Sequence, residues 1–267
     1  MAIKGVVQSA KRKKSPAQAT TASSLITFSD DSLNNFVRIL LCGRAKTGKT
    51  YFAGTWPSPL FINTDKGMKT LSKDHVPSID ILHGEQAWRI MRKIIENLGE
   101  REGDYWEALV AAKYEPKTIV LDSLTSLSSL MEIEILSFPP EGENRKNRDG
   151  GLQLQDYNCI QNRLYGILRQ LAELPYNIIV TASTDYLVDD SDGRLYENPS
   201  VSGNKAGPQI PHFFDDVYYF SYDRKTSKWI LDPQQSLRFN HAGSRGLIPL
   251  EQVENPTYQK LKKYYEK

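Results

Sequence analysis

An α/β fold, with a mainly parallel central sheet flanked by helices and a C-terminal antiparallel hairpin, is what the 267-residue chain predicts. Three observations carry it. Short β-branched and leucine-rich runs alternate with segments whose apolar residues recur at helical spacing, the pattern of parallel strands joined by crossover helices. The runs VRILLCG, KTIVLD and NIIVTAS are largely apolar along their length, as strands buried on both faces are. Late in the chain, DDVYYFSYD and KWILDP flank residues 223–227 in the manner of a hairpin.

Taken in order, residues 1–31 are polar, small and short of apolar side chains, so they predict a disordered tail that cannot offset the entropy of ordering. Residues 32–267 predict one domain, with order beginning near Phe36. VRILLCG gives a first strand ending at Gly43, and a short helix follows from Lys49, ending before Pro57. LFINTD (60–65) gives a second strand and IDIL (79–82) a third. Trp88, Met91, Ile94, Ile95 and Leu98 mark a helix over 84–98, and another covers 104–112. KTIVLD (117–122) is a buried strand, followed by a helix through Leu136 and a proline-, glycine- and charge-rich loop at 139–151. Tyr157, Ile160, Leu164, Ile167, Leu168 and Leu171 then share one helical face before the strand NIIVTAS (177–183). After the hairpin, TYQKLKKYY predicts a closing helix.

The formal net charge of +2 divides unevenly. Residues 1–29 hold Lys4, Lys11, Arg12, Lys13 and Lys14 and no acidic residue, leaving 29 basic against 32 acidic residues elsewhere. The tail is therefore either an arm for an anionic partner or a solubilising extension. No apolar run approaches the ~18 residues of a membrane span, and no signal-peptide core is present, so no membrane association is expected. Two cysteines, Cys42 and Cys159, make neither a disulfide framework nor a zinc site and point to a reducing cytoplasm. The four histidines lack metal-ligand spacing. VDDSDG has three residues of a calcium loop, but Val188 and Pro199 would fill its first and last positions, so it reads as a solvated turn.

CGRAKTGKTY (42–51) fits G-x-x-x-x-G-K-[ST], with a strand before it and a helix after it. In that setting free backbone N–H groups and a helix N-terminus converge on phosphates. Gly43, Arg44, Ala45, Lys46, Thr47, Gly48, Lys49, Thr50 and Tyr51 are thus the expected nucleotide-binding residues. Lys49 would reach the β- and γ-phosphates of ATP, and Thr50 would offer a hydroxyl to Mg2+. Asp122, ending the strand TIVLD, would be the second metal-side group, and the same position also suits the N-cap of the helix that follows, the two roles being compatible at a strand's C-terminal edge. Asp65 would sit beside the phosphate loop if its strand neighbours that of Asp122. Thr181 and Ser183, at the end of a third strand, are polar groups in reach of a γ-phosphate.

Together these segments resemble the RecA-like recombination ATPases, in particular the small phage single-strand-annealing proteins with a RecA core. IVLDSLTSL resembles their Walker B strand, FINTD puts Asp65 where they carry a catalytic acid, and IIVTAS stands where their γ-phosphate sensor strand leads into a DNA-contacting loop. IPHFFDDVYYF and NPTYQKL are similar to the small phage members as well. Asp65 is one methylene shorter than the glutamate usual there, and Thr181 or Ser183 replaces the usual glutamine or histidine.

The resemblance implies a Mg2+-dependent ATPase stimulated by single-stranded DNA, with Lys49, Asp65, Asp122 and Ser183 as catalytic residues and Thr50 and Asp122 holding the metal. It also implies a homo-oligomer, ring or filament, a single-strand-binding protein as a further partner, and work in the cytoplasm of a host cell if phage-encoded. DNA contacts are expected from loops 139–151 (Arg145, Lys146, Arg148) and 184–210 (Arg194, Tyr196, Lys205), the second of which sets basic residues beside an aromatic one. Arg224, Lys225, Lys228, Arg238 and Arg245 are candidates for a cation supplied to a neighbouring subunit. Two rivals are an ATP-gated DNA-binding module with little turnover and a P-loop kinase of a small molecule.

Overall fold

The computed structural model describes residues 36–137, 151–188, 193–203, 205–245 and 251–265. All lie in one compact unit, Phe36–Lys267. The expected tail and loop residues Arg145, Lys146 and Arg148 fall outside the described residues.

Strand β1 (Arg38–Cys42) leads through the phosphate loop to helix α1 (Lys49–Gly54) and strand β2 (Pro59–Asn63). Strand β3 (Ser78–Asp80), helices α2 (Ala87–Glu100) and α3 (Asp104–Ala111), and strand β4 (Thr118–Asp122) follow. Next come helices α4 (Leu124–Ser137) and α5 (Leu154–Ala172) and strand β5 (Asn177–Ala182). Strands β6 (Thr184–Val188) and β7 (Leu195–Pro199) precede the hairpin β8 (Asp216–Asp223) and β9 (Lys228–Asp232). Short strands β10 (Gly243–Ser244) and β11 (Val253–Glu254) and helix α6 (Tyr258–Tyr265) complete it.

Among the described residues the main sheet runs β11-β9-β8-β1-β5-β4-β2-β3, with β10 on β8. The run from β8 to β3 is parallel, and β9, β10 and β11 join antiparallel. Alternation along each strand divides the core in two. Leu40, Ile62, Ile119, Leu121, Ile178 and Val180 face α2, α4 and α5. Ile39, Leu41, Phe61, Val120 and Ile179 face α1 and α6, where Phe52 and Leu261 close the layer. Strands buried on both faces need apolar residues at successive positions, which is why these runs do not alternate in sequence.

The expected elements are present with ends shifted by one to three residues. One expectation is corrected: 184–210 is not simply a loop. Thr184–Val188 and Leu195–Pro199 pair antiparallel as a separate two-stranded sheet, and Gly207–Phe213 forms a 3-10 helix. TDYLV carries strand-favouring Thr, Tyr and Val, whereas LYENP holds Glu, Asn and Pro, residue types depleted in strands, so composition alone does not announce the pairing. The VDDSDG turn falls largely outside the described residues.

Candidate phosphate-binding site

The loop after β1 takes a shape that only glycine allows at two places. Gly43 has φ 147°, and a Cβ there would run into the Phe220 carbonyl of β8. Gly48 has φ 95°, and its Cβ would lie 2.8 Å from the Trp229 ring. Helix α1 starts at once, with no side-chain cap and no acidic residue in its first turn. Its leading N–H groups therefore suit an anion. Lys49 Nζ donates to the carbonyls of Gly43 (2.6 Å) and Arg44 (2.8 Å). Burial pulls the Lys49 ammonium below its usual range, against the opposing pull of Asp122, Cys42 and Asp65.

Asp122, 3% exposed, ends β4. Thr50 Oγ1 donates to its Oδ2 at 2.8 Å, and Thr181 Oγ1 of β5 donates to its Oδ1. The topology explains the second contact, because β5 lies between β1 and β4 and carries Thr181 to the point midway between loop and carboxylate. Thr64, just past β2, donates its N–H to the Asp122 carbonyl (2.8 Å) and its hydroxyl to the Ser123 carbonyl (2.8 Å). Those bonds hold Asp65, the next residue, beside β4. A Cβ on Gly67 would meet Asp65 Oδ1 at 2.6 Å and Asp122 Oδ2 at 3.6 Å, so the two carboxylates converge on one point. Asp65 Oδ1 accepts the Gly67 N–H at 2.8 Å. Burial and the Asp122 charge push the Asp65 carboxyl up, against the Gly67 hydrogen bond and Lys49.

A cavity of about 360 Å³ joins these groups, lined among others by Lys49, Thr50, Asp65, Asp122, Thr181 and Ser183. A hydroxyl and a carboxylate in contact, with a second carboxylate adjacent, is a hard-oxygen donor set that fits Mg2+ held partly by phosphate and water. The structure thus brings together Lys49, Thr50, Asp65, Asp122 and Ser183. Ser183 donates its N–H to Thr125 Oγ1 at 3.0 Å. The N-cap reading of Asp122 is corrected: Ser123 Oγ accepts the Ser126 N–H at 3.2 Å and takes that role.

Two features escaped the sequence. One is Trp229 of β9, which lines the same cavity. The other is Glu197 of β7, 1% exposed, which accepts from Thr184 Oγ1 (2.5 Å), Tyr219 Oη (2.9 Å) and Arg238 Nε (2.5 Å). Arg44 of the phosphate loop reaches the same hairpin, with Nε 3.9 Å from Glu197 Oε1 and Nη2 donating to Tyr186 Oη. Tyr219 and Arg238 lie far from Glu197 in sequence, and no local pattern announces a charged residue at so buried a position.

Arg194 is exposed immediately before β7, and Lys205 is exposed before the 3-10 helix. Of the candidate cations for a neighbour, Lys228 pairs with Glu254, Arg238 with Glu197 and Arg245 with Asp215. Among the described residues no cluster of three or more His, Cys, Asp or Glu forms a metal site, and no helix is long and apolar enough to cross a membrane.

A family model described as an AAA domain matches residues 35–248. Among solved structures, a KaiC-like protein from the hyperthermophilic archaeon Pyrococcus horikoshii OT3 is similar at 13% identity and a TM-score of 0.44, over 82% of this chain and 84% of that one. No curated protein sequence matches the chain.

Proposed function

The chain belongs to the AAA-domain family, and from that premise we propose that it binds and hydrolyses ATP with Mg2+ and acts on single-stranded DNA, in recombination or strand annealing, as a homo-oligomer. The domain is a P-loop NTPase of RecA-like type. The observation that carries hydrolysis is the convergence of Lys49, Thr50, Asp65 and Asp122, from three strand ends, on one cavity.

Lys49 exchanges the Gly43 and Arg44 carbonyls for phosphate oxygens, and the loop amides share the phosphoryl charge. Thr50 and Asp122 would hold Mg2+, which would supply positive charge against the negative charge of the phosphates. Asp65 orients the attacking water. Thr181 and Ser183 lie on the γ-phosphate side, and Thr181 also fixes the Asp122 carboxylate. Catalysis is therefore positioning plus electrostatics.

Support for the nucleic-acid part comes from the sequence resemblance and from the β6–β7 hairpin. There exposed Tyr186 stacks against Arg44 (5.3 Å from guanidinium carbon to ring centre), with Arg194 immediately before β7. Cations beside an aromatic face suit backbone tracking and base stacking on a single strand. The second reading, an ATP-gated binding module with little turnover, is favoured by Asp65, whose short side chain is engaged by the Gly67 N–H.

Steady-state ATP hydrolysis and ATP affinity of the wild type and Lys49→Ala, each with and without single-stranded DNA, test these readings. Hydrolysis stimulated by DNA and abolished in a folded Lys49→Ala variant is the expected result. Undiminished ATP binding by that variant would remove the phosphate site, and indifference to DNA would remove the nucleic-acid part. Tight ATP binding by the wild type without turnover would favour the gated module.

A further inference from the structure

We propose that the cavity holds the nucleotide base by stacking on Trp229 and Tyr51 and discriminates little between bases, so that it takes nucleoside triphosphates generally. This rests on the phosphate-site reading above and concerns the opposite end of the same ligand.

The strand order decides which end is which. Across the C-terminal edge of the sheet, the order β9-β8-β1-β5-β4-β2 sets the phosphate loop, which follows β1, between two flanks. Thr181, Asp122 and Asp65 all stand on the β5-β4-β2 flank. Trp229, second residue of β9, stands on the other, and because β9 runs antiparallel to β8 its first residues lie at that same edge. A triphosphate with its terminal phosphate toward the carboxylates sends its sugar and base toward β9.

Aromatic surface waits there. Tyr51 follows Thr50 in α1, and its ring centre lies 5.1 Å from that of Trp229, with the planes tilted by 45°. The indole is fixed from two sides. It packs on the loop at Gly48, where a Cβ would approach within 2.8 Å. Its backbone is clamped by Asn255: the Trp229 N–H donates to Asn255 Oδ1 (3.0 Å), and the Asn255 N–H donates to the Trp229 carbonyl (2.7 Å). A side chain so placed keeps its orientation without a ligand, which lowers the cost of ordering on binding.

What the cavity lacks is equally informative. Among the described residues that line it there is no Asn, Gln, Arg or His, and its two carboxylates belong to the terminal-phosphate flank. A site that reads a base edge needs donors and acceptors fixed opposite it, and such a site rejects the wrong partner strongly. A ring face accepts any base, because every base has a π-face.

The test compares binding of ATP, GTP, CTP and inorganic tripolyphosphate, each with Mg2+, to the wild type, Trp229→Ala and Trp229→Phe, with thermal melting of each. The wild type should bind the three nucleotides within roughly 10-fold of one another. Trp229→Ala should lose roughly 10- to 100-fold for all three and keep its affinity for tripolyphosphate, while Trp229→Phe restores most of the loss. Unchanged ATP affinity in a folded Trp229→Ala variant would overturn the stacking, as would a wild-type preference for ATP above roughly 100-fold. Absence of tripolyphosphate binding by the wild type would instead remove the phosphate site, and this proposal with it.

Discussion

Asp65 shows how a residue can subtract from stability in return for chemistry. Burial first, then the Asp122 charge, raise its carboxyl above the ordinary value of 3.8. The sign follows from linkage: a carboxyl whose folded pKa is raised favours the folded state while protonated, and that contribution is lost as pH rises through the raised value. At neutral pH the ionised form is therefore destabilising. Asp65→Asn should melt higher than the wild type at pH 7, and the gain should disappear below the ordinary aspartate range, where both forms are neutral. The same variant should keep ATP binding while hydrolysis falls by about 10²–10⁴-fold, the usual worth of a positioned base. Melting at two pH values and steady-state turnover check both halves. Equal turnover would assign the water to another group, and a lower melting point at pH 7 would mean that the Gly67 hydrogen bond outweighs the charge. At this scale Lys49, Thr50 and Asp122 were legible in the sequence because each sits in a motif whose spacing is set by one strand and one turn. Trp229 was not, because its place beside Gly48 depends on a β-strand far along the chain.

Among the elements, the β6–β7 hairpin has a charged residue, Glu197, at its buried centre. Burial pushes Glu197 up, but hydrogen bonds from Thr184, Arg238 and Tyr219 more than offset this and hold it below its ordinary value of 4.5. A depressed carboxyl contributes stability that is present above its unfolded pKa and lost as pH falls through the folded value. Glu197→Gln removes the charge that Arg238 and Arg44 face and should cost about 1.5–3 kcal/mol, the worth of hydrogen bonds to a charged group. It should also flatten the acid side of the melting profile and speed proteolysis within 184–199. Parallel pH profiles for variant and wild type would show that Glu197 contributes by shape alone. The elements that were legible, such as β1, β4, β5, α2 and α5, announce themselves through their own apolar spacing. The hairpin did not, because its buried centre is a glutamate whose partners include two arginines, Arg238 and Arg44. Hydrophobic periodicity is blind to a core of that kind.

For the whole molecule, alternating strands and helices gave the parallel sheet but not its order. Strands buried on both faces have interchangeable compositions, so nothing local says that β5 separates β1 from β4, although that placement brings Thr181 to Asp122. Charge, by contrast, is a whole-chain property that the sequence states outright: five positive charges in residues 1–29, and 29 basic against 32 acidic residues in the remainder. A body of that balance has no general attraction for a polyanion and must bind through local patches. If the tail tracks a single strand, it acts by releasing counterions, and log K falls against log[salt] with a slope of about 0.7 per phosphate neutralised. Deleting residues 1–29 should then reduce that slope by up to about 3.5, when all five charges engage. DNA-independent ATP hydrolysis should stay the same, since the deletion ends before β1 and leaves the phosphate loop intact. Single-stranded DNA affinity at several salt concentrations, for the full chain and the truncated one, makes the comparison. Superimposable slopes would leave the tail without a role in binding and assign the DNA contacts to the body, with the Tyr186 and Arg44 surface of the hairpin as the first place to substitute.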